Sequence, residues 1–346
     1  MHSCLIRNSN FKIINLIYFM LNKSLKLNTK LFDADVEQVP LRNGFGEGLL
    51  EAAQLDENVV GLCADLTEST RMHHFANEFP ERFIQVGITE QHMASCGAGL
   101  AAMGKIPFVS SYAMFNPGRN WEQIRTTICY NDVPVKVIGS HSGLSVGPDG
   151  GTHQAIEDIA LMRVIPNMEV IVPCDALEAH KATLAIAKSG KPAYLRLARE
   201  KTPLVTTKDT PFEIGKAQIL YESKNPTVAI IAIGPMVHQA LIAAEELEIQ
   251  GVGSIVVNSA TVKPLDTGTI LDVARRVEGV VTAETHQVAG GLGSAVAELL
   301  AQELPTKMAF VGVKDIFGQS GTGAELMRHY RLGVDDIVKA TRQILK

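Results

Sequence analysis

Two histidines and an aspartate occur within one glycine-rich segment, 139–154, whose sequence is GSHSGLSVGPDGGTHQ. His141, Asp149 and His153 follow directly on the apolar run 135–138, which has the composition of a buried strand. Glycines let a loop bend tightly, and open α/β sheets bind their ligands at the carboxyl ends of the strands. Imidazole and carboxylate groups brought together there can bind a polar ligand and exchange protons with it. An ordinary surface loop has a similar composition, but three such side chains together favour a functional site.

A second candidate is Glu90, which lies in the first turn of a predicted helix, 90–103, just after the strand-like run 82–86. This helix consists largely of Gly, Ala, Ser and Cys, and such small side chains are typical of close packing against another helix or subunit. A carboxylate carried into a buried place is costly unless it is paired or protonated. We therefore expect Glu90 to have a specific role.

Two aromatic residues, Tyr112 and Phe115, follow another predicted strand in the segment 110–125, SSYAMFNPGRNWEQIR. Aromatic rings at the end of a strand can form a platform for a flat ring, although two aromatics three positions apart also occur in ordinary cores. Three more polar residues follow or flank predicted strands, and taken singly each is typical of a solvated surface. They are Arg42, Ser69 and Arg199.

The elements that must position these residues alternate between apolar strand-like runs and helical patterns from about residue 39 onward. Such alternation predicts a parallel sheet covered by helices on both faces. The predicted strands are 59–64, 83–86, 107–110, 135–139, 168–172 and 193–197. The predicted helices are 45–54, 90–103, 121–130, 154–163 and 176–188.

The alternation stops at 201–214, KTPLVTTKDTPFEI, where prolines, threonines and charges predict a linker, which we assign to 206–214. It resumes in a separate, smaller α/β domain, 215–346, with strands predicted at 228–233, 254–258, 279–283 and 308–313. The glycine turn in this domain, AETHQVAGGLGSA, lacks the spacing of a dinucleotide-binding motif. The first domain is assigned to 38–205 and a leader, expected to be disordered, to 1–37.

Composition excludes several classes of function. The 346 residues are 46% apolar and carry a net charge of −5, with lysines and arginines scattered, so a nucleic-acid partner is not expected. The apolar stretch 13–21 is too short to span a bilayer, and no cleavage site follows it, so we expect no membrane role. Five dispersed cysteines without a CxxC pair predict a reducing, cytoplasmic location. They are Cys4, Cys63, Cys96, Cys129 and Cys174.

Five motifs, in this order, resemble the pyrimidine-binding domain of transketolase: RFIQVGITEQHM, SSYAMFNPGRNWEQIR, GSHSGLSVGPDGGTHQAIED, MRVIPNMEVIVPCD and YLRLAREKTP. The remainder is similar to the transketolase C-terminal domain, so the resemblance covers roughly residues 38–346. It includes only the C-terminal portion of a transketolase, as in bacterial and archaeal enzymes that are split into two subunits. The resemblance implies an α/β fold of two domains, a parallel sheet flanked by helices followed by a smaller α/β C-terminal domain.

The resemblance also implies transfer of a two-carbon ketol unit between sugar phosphates on thiamine diphosphate, as in the pentose phosphate pathway. Glu90 matches the family's glutamate, which hydrogen-bonds the aminopyrimidine ring and stabilises the tautomer that removes the C2 proton. Tyr112 and Phe115 would pack around the aminopyrimidine, and Asp65 would lie near the thiazolium. Where the family commonly has another aromatic three residues beyond Phe115, this chain has Gly118.

For the sugar substrate, the resemblance assigns His141 and Asp149 to contacts with the hydroxyls and with the donor intermediate, which makes His141 a catalytic candidate. Two arginines and an imidazole are physically suited to a phosphate dianion. The residues that match those holding the acceptor phosphate are Arg42, Ser69, His153 and Arg199.

A partner chain is implied as well. The GDG motif that marks the binding domain for the diphosphate and Mg²⁺ does not occur in the 346 residues, so no metal ligand is assigned to this chain. We expect an N-terminal transketolase subunit to supply that domain, in a heterotetramer built on a dimer of this chain. The alternatives are a deoxyxylulose-phosphate synthase, a 2-oxo acid dehydrogenase β subunit, and a non-catalytic binding protein on the same fold.

Overall fold

Residues 20–346 are described by the structure, a computed structural model. Residues 1–19, which include most of the expected leader, lie outside the described residues. The strands, β1 to β14 in chain order, are Gln38–Pro40, Val59–Cys63, Phe83–Gln85, Ile106–Tyr112, Lys136–Ser142, Glu169–Ile171, Ala193–Ala198, Lys201–Pro203, Gln218–Glu222, Pro226–Ala232, Gly253–Asn258, Thr261–Lys263, Gly279–Gln287 and Lys307–Val313. The α-helices, α1 to α11, are Leu41–Leu55, His73–Glu78, Glu90–Ala102, Trp121–Gln123, Asp158–Arg163, Ala176–Lys188, Met236–Ile249, Thr267–Arg275, Leu292–Glu303, Gly323–His329 and Val334–Ile344.

The first domain is built on a seven-stranded sheet with the strand order β12-β6-β7-β5-β4-β2-β3. Every neighbouring pair in it is parallel except β12 with β6. Strands β2, β5 and β7 are buried at every position, as expected for parallel strands covered on both faces. The predicted parallel sheet flanked by helices is therefore confirmed.

Helix α3 packs on this sheet through its small residues. A methyl group at Gly97 would lie 2.8 Å from the Val109 Cγ1 atom of β4, so only glycine permits this close approach. Met93 and Ala94 complete the buried face. The packing brings the N-terminal end of α3, and with it Glu90, to the carboxyl end of β4.

The second domain has a five-stranded sheet with the order β14-β13-β10-β11-β9, in which only β9 is antiparallel to its neighbour. Its strand β12 crosses over and joins β6 at the edge of the first sheet, where Thr261 pairs with Ile171. One apolar cluster contains Val60 and Val109 of the first domain together with Ile231 and Val257 of the second. The second domain thus shares both an edge strand and a core with the first.

The expectation of a disordered leader is wrong for residues 20–37. Leu27 and Leu31 are buried in the apolar cluster of the second domain. Asn22 Nδ2 donates to Ile219 O at 3.0 Å, and Asn28 Nδ2 donates to Leu204 O at 2.7 Å. Two leucines and two asparagine amides therefore hold this segment across both domains.

The predicted linker is also packed against the domains. Just before the linker, β8 pairs antiparallel with β1. The backbone N–H of Thr206 donates to Asp175 Oδ2 at 2.6 Å, and its hydroxyl donates to Asp175 Oδ1 at 2.9 Å. Within residues 20–346, no helix has the length and apolarity needed to cross a membrane.

Candidate active site

Glu90 is the first residue of α3, and its side chain is 1% exposed. Its Oε2 atom accepts a hydrogen bond from Arg119 Nη1 at 2.7 Å, and its Oε1 atom accepts one from the Ser111 hydroxyl at 3.2 Å. Its backbone carbonyl accepts from Asn120 Nδ2 at 3.0 Å. The buried carboxylate expected from the sequence is therefore paired with a cation, as burial of a charge requires.

A chain of ring contacts joins the aromatic and histidine candidates beside Glu90. Tyr112 stacks on His141 with ring centroids 4.0 Å apart, and lies 6.4 Å from Phe115. Phe115 meets the edge of His153 at 5.3 Å. The Arg119 guanidinium lies 4.6 Å from the centre of the Phe115 ring. Side chains from the ends of β4 and β5 are thus gathered at one edge of the sheet.

A cavity of about 400 Å³ opens next to the Tyr112–His141 stack. Six of its eight lining residues were predicted from the sequence, and the other two, Glu68 and Arg71, were not. The lining residues are Arg42, Glu68, Ser69, Arg71, Tyr112, His141, Asp149 and Arg199.

His141 is held as a neutral imidazole in this cavity. Arg42 Nη1 lies 2.8 Å from His141 Nε2, and because arginine only donates, Nε2 must be the acceptor. The proton is therefore on Nδ1, which donates to the Ser140 hydroxyl at 2.8 Å. Burial, together with the guanidinium groups of Arg42, Arg199 and Arg71, lowers the pKa of His141 to about 3.

Three guanidinium groups converge on the cavity. Burial, then the charges of Arg71 and Arg199, lower the pKa of Arg42 below its usual value. Arg71 Nε donates to Asn43 Oδ1 at 2.9 Å, and Arg199 Nη1 donates to Val146 O at 3.0 Å. These three guanidinium groups, whose charge the Glu68 and Asp149 carboxylates in the lining offset in part, are suited to an anion with several oxygen atoms.

Arg71 and Arg119 were missed because neither follows a strand directly. Arg71 stands two positions after Ser69, and its φ of +65° turns the chain there. Arg119 stands next to Gly118, where a methyl group would lie 1.9 Å from Met114 O. The backbone therefore excludes a larger side chain at position 118, where the resemblance predicts an aromatic residue, and Arg119 lies over Phe115.

Asp65 does not line the cavity. It follows β2 at the same edge of the sheet, its side chain is exposed, and its backbone N–H donates to Gln85 Oε1 at 2.8 Å. His153 is outside the cavity lining as well, and is tied to the site through its contact with Phe115. A larger cavity, about 1150 Å³, lies along β14 of the second domain and contains none of the predicted site residues.

Residues 37–205 match the family profile described as transketolase, pyrimidine binding domain, and residues 215–337 match transketolase, C-terminal domain. Over 309 residues the chain is 43% identical to a chain named as a transketolase C-terminal section from Methanocaldococcus jannaschii, covering 88% of this chain and 96% of that one. The chain belongs to the transketolase family. It is therefore a member of a family of transferases.

Other members of the transketolase family are similar along nearly their whole length. A 6-deoxy-6-sulfo-D-fructose transketolase subunit from Clostridium sp. (strain MSTE9) is 40% identical, over 90% of this chain and 97% of that one. The solved structure titled "Split gene transketolase, inactive beta4 tetramer" superimposes with a TM-score of 0.83 at 43% identity, covering 89% of this chain and 98% of that one. These relatives are separate subunits of about the length of this chain.

The transketolase family implies thiamine diphosphate and a divalent metal, and the residues present fit one half of that cofactor. The buried carboxylate of Glu90 and the Phe115 ring both contact Arg119, and they provide an acceptor and an apolar face that suit an aminopyrimidine ring. Among residues 20–346 there is no group of three His, Cys, Asp or Glu side chains placed to bind a metal ion. The fit therefore extends to the aminopyrimidine and not to the metal.

Proposed function

We propose that this chain is the C-terminal subunit of a two-subunit transketolase that transfers a two-carbon ketol unit between sugar phosphates in the pentose phosphate pathway. The observation that carries the proposal is a buried carboxylate, Glu90, connected through Arg119, Phe115 and Tyr112 to a cavity whose lining includes Arg42, Arg71 and Arg199. The Glu90 carboxylate suits an aminopyrimidine ring, and the arginine-lined cavity suits a phosphate. A site with both parts matches the needs of a thiamine-dependent reaction on phosphorylated sugars.

Glu90 would hold the aminopyrimidine of thiamine diphosphate through a carboxyl oxygen, at the place where Arg119 now donates. When bound, the cofactor supplies the carbon nucleophile that carries the ketol unit. Glu90 then shares or moves a proton at its Oε atoms, while Ser111 keeps the carboxyl oriented. Phe115 and Tyr112 cover the ring and exclude water from it. Asp65 is proposed to lie near the thiazolium.

The sugar phosphate would lie in the cavity, with its phosphate on the three arginines. We propose that neutral His141 and the carboxylate of Asp149 contact hydroxyl groups of the sugar. The Tyr112 ring stacked on His141 at 4.0 Å restricts the imidazole to one orientation. Ser69 lines the same cavity. His153, which contacts Phe115 outside that lining, is proposed to contribute to the phosphate site.

The anionic group of the substrate is supported more strongly than the identity of the sugar. The Clostridium relative is named for a sulfonated sugar, and a sulfonate shares with a phosphate a tetrahedral anion with several oxygens. Three converging guanidinium groups suit either anion, and a phosphate dianion more strongly because of its extra charge. We propose xylulose 5-phosphate and ribose 5-phosphate as the first pair to test.

A partner chain is proposed to bind the diphosphate and Mg²⁺. Self-association is proposed through α3, whose exposed face carries Ser95, Gly99 and Ala102, and a methyl group added at Gly99 would have no atom within 4 Å. A dimer of this chain with two N-terminal subunits makes a heterotetramer. The relative titled as an inactive β4 tetramer supports the need for a partner. A cytoplasmic location is proposed from the free thiols of Cys63, Cys96, Cys129 and Cys174.

The test is an assay of ketol transfer from xylulose 5-phosphate to ribose 5-phosphate, with thiamine diphosphate and Mg²⁺, by this chain with and without its candidate N-terminal subunit. We expect turnover only from the mixture. Condensation of pyruvate with glyceraldehyde 3-phosphate, with no ketol transfer, would indicate a deoxyxylulose-phosphate synthase instead. Assembly without turnover on either pair of substrates would indicate a non-catalytic protein.

A further inference from the structure

The substrate loop, residues 143–154, carries Asp149 and His153 and lies directly against a segment of the second domain, residues 318–323. Gln154 is 2% exposed and connects the two. Its Nε2 atom donates to Gln319 O at 3.0 Å and lies 3.3 Å from Gly147 O within the loop. A single buried amide therefore links the loop to a residue 165 positions away in the sequence.

The glycines of the substrate loop mark where the second domain comes close. A methyl group at Gly151 would lie 2.6 Å from Gly318 O, and one at Gly318 would lie 1.6 Å from Gln154 Oε1. The first distance means that the two backbones touch, so a side chain at Gly151 would push them apart. The second distance is to the end of the Gln154 side chain, so a methyl group at Gly318 would displace the Gln154 amide. Three other loop glycines meet second-domain atoms at 2.7 to 3.2 Å in the same way: Gly143 at Thr285 O, Gly147 at Gly321 O and Gly150 at Ser320 Oγ.

The first domain also holds part of the loop. Residues Leu144–Asp149 form a 3-10 helix, and Arg199 Nη1 donates to Val146 O at 3.0 Å. After this helix the loop turns back through Gly150 N, which donates to Gly147 O at 3.1 Å, and His153 N, which donates to Gly150 O at 3.0 Å. Segments held by few hydrogen bonds of their own open at low cost in free energy. The contact with the second domain is therefore an additional restraint on the loop and on Asp149, which lines the arginine cavity.

We propose that residues 318–323 of the second domain position the substrate loop, and that Gln154 and Gly318 are positioning residues for the recognition of the sugar. The second domain thereby sets the affinity for substrate without touching it. The statement about substrate rests on the proposed function, whereas the coupling between domain and loop does not.

The test compares Gly318→Ala with Gly268→Ala, a matched change in the second domain at an exposed glycine whose added methyl group would meet only Asp266 Oδ1 at 3.6 Å. Hydrogen exchange of the 143–154 backbone is measured on the full chain alone. We expect at least about tenfold faster exchange in Gly318→Ala and no change in the control. Gln154→Leu replaces the amide by an apolar side chain of similar volume, and it is the second variant in case Gly318→Ala does not fold.

The second measurement uses the chain combined with its partner. A misplaced loop weakens binding, so KM for the sugar phosphate should rise about tenfold while kcat changes much less. Unchanged loop exchange in both variants overturns the coupling. Faster exchange with an unaltered KM overturns the role in recognition. Absence of ketol transfer by the wild type contradicts the proposed function and leaves the exchange result as a separate test of the coupling.

Discussion

At the scale of single residues, Glu90 is fully buried, but Arg119, its partner in the ion pair, is partly exposed to solvent. Its carboxylate is 1% exposed, while the Arg119 side chain on it is 44% exposed. Water screens the charge of Arg119 in part, but the buried carboxylate still needs a donor, so Arg119 can leave at low cost only when another donor replaces it. A ligand with an N–H donor and a flat ring can therefore take its place on Glu90 and Phe115.

Glu90→Gln should leave the fold intact and lower ketol transfer by about two orders of magnitude or more, the usual size of a lost acid–base contribution. The amide keeps a hydrogen-bond acceptor for Arg119 or Ser111 but cannot exchange a proton with a ring nitrogen. The measurement is turnover with the partner present, beside a circular dichroism spectrum. Glu303→Gln, at an exposed glutamate, is the control. Near-normal turnover in Glu90→Gln would remove it from the catalytic role.

Arg199→Ala and Arg42→Ala should each raise KM for ribose 5-phosphate about tenfold or more, with a much smaller effect for glycolaldehyde. Only the phosphorylated acceptor loses a charge-assisted hydrogen bond. Arg276→Ala, in the second domain and away from the cavity, is the control for a lost surface arginine. Equal effects on both acceptors would argue for a structural role, since Arg199 also donates to Val146 O.

At the scale of elements, α3 carries small residues on both its buried and its exposed face. The inner face packs on β4, where Gly97 permits contact with Val109. The outer face is exposed at Ser95, Gly99 and Ala102. Packing within the chain accounts for the glycine at position 97 but not for the one at position 99, which meets no other atom within 4 Å.

Gly99→Leu should keep the chain folded and prevent its self-association, because the added side chain would project from the face proposed to meet a second copy. The measurement is the molar mass by light scattering after size-exclusion chromatography. Gly268→Leu places the same change on an exposed helical glycine of the second domain and should leave the mass unaltered. An unchanged oligomer in Gly99→Leu would show that α3 is not the interface.

At the scale of the whole molecule, a buried ionic network joins the two domains. Arg196, 1% exposed, donates to Asp158 Oδ2 at 2.7 Å and to Thr285 O at 3.0 Å. Tyr194 donates to the same Asp158 oxygen at 2.6 Å. Burial alone would raise the pKa of Asp158. The charge of Arg196 and the hydrogen bonds from Arg196 and Tyr194 outweigh burial, so the pKa is lowered.

Arg196→Met should lower the free energy of unfolding by about 3 to 5 kcal/mol, because Asp158 is left buried with its charge unpaired. Urea denaturation followed by circular dichroism measures the change. Arg276→Met, at a half-buried surface pair, should cost about 1 kcal/mol or less. A similar small loss in both variants would mean that the network is not what holds the domains together.

The chain alone should neither turn over substrate nor bind thiamine diphosphate tightly. The contribution proposed for this chain is one carboxyl and a few aromatic contacts to the cofactor, and the diphosphate and its metal would need ligands from the proposed partner. The measurement is a calorimetric titration of the purified chain with thiamine diphosphate and Mg²⁺, then an activity assay after addition of the partner. Micromolar binding and turnover by the chain alone would contradict the need for a partner.

The parallel sheet and the order of the family's motifs were predictable from the sequence, because apolar periodicity reports directly on which residues of a local segment are buried. The ends of helices and domains were less predictable where contacts with distant parts of the chain compete with local preferences. The helix predicted at 154–163 begins only at Asp158, since Gln154 is used to bond the second domain. The linker and residues 20–37 likewise pack on partners far away in the chain.

The convergence of Arg71 and Arg119 on the site had no local signal. Arg71 meets Arg42 and Arg199 because β2 and β7 lie on either side of β4 and β5 in the sheet, and strand order is a property of the folded chain. Arg119 reaches Glu90 from 29 positions away. The crossing of β12 and the glycine contacts of the substrate loop depend in the same way on two backbones meeting in space. Local patterns report burial and secondary structure, whereas a site assembled from distant segments requires their packing.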